Sequence, residues 1–138
     1  MRKASKVLFL VGAILSIVSA VYYLVFGIIF VVIPNTDAFA DFLAEAQKNG
    51  TTLPEGGEDV VRGVFIGLGV CFLLLTVFGG INSFFGFKAF KQAKPSRALN
   101  VLNIVFGVLA SVFVNLVGAI FALIADGQEE RRAALKKE

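Results

Sequence analysis

The sequence predicts an all-α fold: an integral membrane bundle of three transmembrane helices, with a short amphipathic helix in the loop between the first two. Residues 7–33, 63–87 and 98–125 contain no Asp, Glu, Lys, Arg or His. Each block exceeds the roughly 20 apolar residues that cross a ~30 Å hydrocarbon core. All 13 basic and 10 acidic residues of the 138-residue chain therefore fall between and around the blocks. Hydrophobic residues make up 57% of the chain and mean hydropathy is +0.84, outside the range of ordinary soluble domains.

The N-terminal tail, 1–6, carries Arg2, Lys3 and Lys6 ahead of span 1, 7–33. A basic start, an apolar run and the small residues Val18-Ser19-Ala20 resemble a secretory signal. The apolar run continues to Ile33, well past the 7–15 residues of a signal core, so a retained span is the better reading. The next segment, 34–61, holds Asp37, Asp41, Glu45, Glu55, Glu58 and Asp59 against Lys48 alone. Within it, Phe39, Phe42, Leu43 and Ala46 recur at helical spacing, with Thr36 and Asp37 as a start signal and Asn49-Gly50 as a stop. These predict an amphipathic helix over about 37–48, lying on the outer surface or over the tops of the spans.

Span 2, 62–87, opens at Arg62, which is expected to snorkel to the head groups or pair with Glu58 or Asp59. The connection 88–97 carries Lys88, Lys91, Lys94 and Arg97 and no acid. Lys and Arg collect on the cytoplasmic side of short loops. The N-terminus and this connection are therefore cytoplasmic and the acidic segment is outside, in a multi-pass plasma membrane protein. Span 3, 98–125, then puts the C-terminus outside. The mixed-charge tail, 126–138, is expected to extend the third helix into water. A re-entrant third block, returning the tail to the cytoplasm, is the alternative.

Small residues mark the faces where helices meet in lipid. Gly12, Ser16, Ser19, Ala20, Tyr23 and Gly27 share an arc of roughly 100° on the first helix. Asn100, Asn103, Gly107, Ser111, Asn115, Gly118 and Ala122 share roughly 120° on the third. The second helix shows two faces: Gly63, Gly67 and Cys71 in its outer half, and Thr76, Gly79, Ser83 and Gly86 in its inner half. The packing or interaction candidates are Gly12, Ser16, Tyr23, Gly63, Gly67, Gly107, Ser111, Asn115 and Gly118. Asn115 would be costly unpaired, so it is expected to bond Ser16, Ser19 or Tyr23. Tyr23 is expected to be bonded inside the bundle, whereas Asn100 and Asn103 are close enough to the inner interface to reach water or head groups.

Chemistry is sparse. There is no histidine, no charged group within a span beyond Arg62 at the mouth of the second, no metal-ligand cluster and no phosphate-binding glycine loop. Neither an enzyme, nor a cofactor or metal site, nor an ion-coupled pump is expected. Cys71 reads as a small hydrophobe. The net charge of +3 and pI near 9.2 come from bases beside the spans. Anionic head groups are nearer to them than nucleic acid, so the bilayer is the expected partner.

The layout, with Gly86-Phe87-Lys88-Ala89-Phe90-Lys91 and the run Asn115-Leu116-Val117-Gly118-Ala119-Ile120-Phe121-Ala122-Leu123-Ile124, resembles small bacterial membrane proteins of domain-of-unknown-function families, Gram-positive ones especially. The resemblance implies a fold type and a location and brings no activity or site. The function expected is non-catalytic: an accessory subunit or self-associating bundle, its partner a second copy or another membrane protein. A holin-like pore and a bundle for an apolar solute are the alternatives. The first would leak dye from liposomes and the second would show a phenylalanine-lined cavity.

Overall fold

In a computed structural model, which describes residues 2–50, 54–110 and 113–135, the chain is all-helical; among the described residues there is no strand. The helices are α1 (Arg2–Val32), α2 (Asp37–Lys48), α3 (Gly57–Lys91), α4 (Arg97–Leu109) and α5 (Phe113–Leu135), with a 3-10 turn over Ile33–Asn35. The chain divides into two compact units. Unit 1 takes Met1–Ala20 and Thr76–Glu138, and unit 2 takes Val21–Leu75.

Local chemistry explains most of the boundaries. Pro34 sits at the start of the 3-10 turn where α1 stops, because proline supplies no N–H to continue the ladder. Thr36 is extended and separates the turn from α2, whose far end is closed by Asn49 and by Gly50 at φ +90°. Only glycine adopts that conformation without a Cβ penalty. The first turn of α3 carries Glu58 and Asp59 and its last turn Lys88 and Lys91, both favourable against the helix dipole. Ser96 caps α4, its Oγ accepting the N–H of Leu99 at 3.2 Å.

Two helical segments, Lys3–Asn35 and Gly57–Lys91, are long and apolar enough to cross a membrane. The third predicted span is not confirmed as one helix. Block 98–125 is two helices, α4 and α5, which pack on each other. Arg97, at the start of α4, pairs with Glu130 near the end of α5, and Lys94 pairs with Asp126 and Glu129 at 3.8 Å. The two ends of the block therefore meet. No Gly or Pro lies in 108–112 to mark the break. The contact between α4 and α5, not a local breaker, accompanies it.

In unit 1, Phe9, Ala89, Leu99, Ala119 and Ala122 form the apolar core, with Phe85, Phe90 and Ile104 packed around it. Phe106 adds rings against Phe78 and Phe85. In unit 2, Phe30 contacts both Phe65 and Phe72, and Phe39 of α2 lies edge-on to Phe65 with centroids 5.6 Å apart. That contact docks α2 through Phe39 and Leu43, both buried; Phe42, assigned to the same face, is 54% exposed. The Thr36 hydroxyl donates to Ile33 O and makes no side-chain cap on α2.

Candidate functional site

The polar side chains of unit 1 form a seam along the contact of α1, α3 and α5. Ser16 Oγ donates to Gly12 O, one turn back on α1, at 2.7 Å, and accepts from Asn82 Nδ2 at 2.8 Å. One residue on, Ser83 Oγ donates to Ala13 O at 3.0 Å. Asn115 Nδ2 donates to Asn82 O at 3.4 Å, and Ser5 Oγ donates to Gly118 O at 2.9 Å. Asn103 of α4 donates from Nδ2 to Leu99 O at 2.9 Å and reaches Phe85 O of α3 at 3.4 Å.

Glycine makes these approaches feasible. A Cβ on Gly12 would fall on the Asn115 amide, and one on Gly86 would stand 2.9 Å from Asn115 Nδ2 and 3.0 Å from Ala13 Cβ. A Cβ on Gly79 would lie 3.1 Å from that of Ala20, and one on Gly118 3.1 Å from that of Leu8. Ser16, Asn82, Asn100, Asn103 and Asn115 have no exposed surface at all.

The seam is only partly satisfied. Asn82 Oδ1, Asn103 Oδ1, Asn115 Oδ1 and both polar atoms of Asn100 find no hydrogen-bond partner among the described residues. An unsatisfied buried polar group costs about 1–3 kcal/mol, while interhelical hydrogen bonds average only ~0.6 kcal/mol in a membrane bundle. On these magnitudes the amides add no net stability. Close helix contact and dispersion hold unit 1 together.

The sequence candidates separate into four groups, of which Tyr23, half-buried in unit 2, is one by itself. Gly12, Ser16, Gly107, Asn115 and Gly118 are buried in unit 1. Gly63 and Gly67 face open space in unit 2, with nothing within 4 Å of an added Cβ, and Cys71 beyond them is exposed. Ser111 lies outside the described residues. The α1–α3 contact of unit 2 instead uses Gly27 and Gly69. A Cβ on Gly27 would be 2.9 Å from Leu73 Cδ2, and one on Gly69 3.0 Å from Gly27 O.

Three expectations about pairing change. Asn115 is bonded, but to the Asn82 backbone and not to Ser16, Ser19 or Tyr23. Asn100 and Asn103 are wholly buried and do not reach water. Tyr23 has no hydrogen bond among the described residues and stacks on Phe72, with centroids 6.0 Å apart. Asn82, a hub of the seam, is not among the sequence candidates. Its signal is the spacing Gly79, Asn82, Ser83, Gly86, which places all four on one helical face.

No group of three or more His, Cys, Asp or Glu able to hold a metal occurs among the described residues. Against known proteins, the chain matches no family model, no curated protein and no solved structure.

Proposed function

We propose that the chain is a non-catalytic integral membrane protein that acts through helix–helix contacts, associating with a second copy of itself along the open face of α3. Exposure supports the membrane reading. The two long apolar segments bury only 17% and 11% of their most apolar stretches, where the core helix of a soluble protein would bury most of its length. Val18, Val21, Val64, Val77 and Phe84 are all more than half exposed. Uncovered apolar surface on this scale marks a membrane or partner contact.

The charge bias keeps the basic N-terminal tail and the 88–97 connection cytoplasmic. Because Lys94 and Arg97 pair with residues of α5, the C-terminal tail is assigned to that same side, reversing the external position expected for three spans.

The observation that carries self-association is the glycine face left open. Gly12, Gly27, Gly69, Gly79, Gly86 and Gly118 sit against a neighbour, whereas Gly63, Gly67, Gly80 and Gly127 do not; of these, Gly63 and Gly67 share one face, and Val60, Val70, Cys71 and Leu74 beside them are exposed. A small-xxx-small groove lets a second helix approach its backbone closely in lipid. The wholly buried asparagines of unit 1 argue against an open polar pore, and Phe26, Phe30, Phe65 and Phe72 of unit 2 pack ring on ring.

The native Cys71 reports the contact. Mild oxidation of membranes should give a disulfide-linked dimer, and Gly67→Leu should abolish it while leaving helicity unchanged. Absence of a dimer at every protein density, or one indifferent to Gly67→Leu, would sink the proposal.

A further inference from the structure

A cleft of about 310 Å³ opens in unit 2 between the start of α2 and the first two turns of α3. Its buried residues, Pro34, Phe39 and Leu43, make an apolar floor. Its charged lining is Asp37, Glu58 and Arg62, all exposed. Glu58 and Arg62 are four residues apart on α3 and share a face, yet neither they nor Asp37 forms an ion pair among the described residues. One guanidinium and two carboxylates are thus held around one cleft without neutralising one another.

We propose that this cleft holds the head group of a phospholipid bearing a primary ammonium, its phosphate on Arg62 and its ammonium toward Asp37 and Glu58. The charges select the class. A guanidinium is the preferred side chain for a phosphate oxygen pair. A primary ammonium offers three N–H donors to two carboxylates, which a quaternary ammonium cannot. The remaining acids of segment 34–61, Asp41, Glu45, Glu55 and Asp59, stand against Lys48 alone and disfavour a head group of net negative charge. A lipid is favoured over a free zwitterion because Arg62 directly precedes the charge-free run of α3, at the level where phosphates are concentrated. This inference rests on the membrane reading, not on self-association.

The test is lipid retention by the purified full-length protein, delipidated in detergent and exposed to equimolar phosphatidylethanolamine, phosphatidylcholine and phosphatidylglycerol of matched chains. Native mass spectrometry should show phosphatidylethanolamine retained several-fold over the other two. Arg62→Gln, and Asp37→Asn with Glu58→Gln, should each bring it to the phosphatidylcholine level with helicity unchanged, whereas Arg62→Lys should keep most of the preference. Equal retention of the three lipids, or a preference that survives Arg62→Gln, would overturn the site. Displacement by equimolar soluble phosphoethanolamine would overturn the lipid as occupant. Alkaline carbonate extraction of the same membranes separates the two levels: a chain that stays in the pellet without lipid preference loses only the site, and a chain that is released loses the membrane reading as well.

Discussion

Asn115 lies directly over Gly12, so that a methyl group on the glycine would occupy the space of the amide. The pair ties the start of α5 to α1, and the same amide bears on Gly86 of α3. Three helices therefore converge on one side chain, and its surroundings tolerate no added atom.

Gly12→Ala should destabilise unit 1 by about 1–3 kcal/mol, the usual range for an overpacked core. Gly63→Ala, which meets open space, should be neutral or slightly stabilising because alanine favours helix. Thermal or denaturant melting in detergent, followed by circular dichroism, checks both. Equal effects of the two substitutions would contradict the contact.

Asn100 and Asn82 should respond in opposite senses to leucine, which shares the heavy-atom skeleton of asparagine. Asn100 leaves both polar atoms unpaired, so Asn100→Leu removes a cost of about 1–3 kcal/mol and should raise the melting temperature. Asn82 donates to Ser16 and accepts from Asn115 through its backbone, so Asn82→Leu strips the Ser16 hydroxyl of its donor and should lower it. A cycle with Ser16→Ala should show coupling of roughly 0.5–1.5 kcal/mol.

The hairpin of α4 and α5 predicts the side of the C-terminus. With Cys71 replaced, single cysteines at Ala93 and at Gln128 should show the same accessibility to an impermeant maleimide in sealed cells. Opposite labelling would restore a single crossing. Pairing across the hairpin predicts in addition that Arg97→Glu is compensated by Glu130→Arg in protection of the tail from trypsin.

Phe39 docks α2, while Phe42 points away from the contact. Phe39→Ala should therefore release α2 and expose Lys48 to trypsin on intact protein, with global melting less affected than cleavage. Phe42→Ala should leave the digestion pattern unchanged. Cleavage that is equal in both variants would remove the Phe39–Phe65 contact as the anchor.

The sequence by itself determined the helical class, the two long apolar helices and the extent of α2 at Asp37–Lys48. These rest on local chemistry: charge-free runs, helical spacing of Phe39 and Leu43, and the stop signals Pro34 and Asn49-Gly50. Tertiary structure alone decided the rest. The break after Leu109 has no proline or glycine to announce it, because the energy that favours it lies between helices and not along the chain. Asn103 and Asn115, read as one stripe on one helix, stand on two helices folded against each other. Periodicity shows which residues share a face but not which neighbour covers it. Gly67 and Gly69 illustrate this: they are alike in sequence, yet only Gly69 meets α1 while Gly67 faces open space.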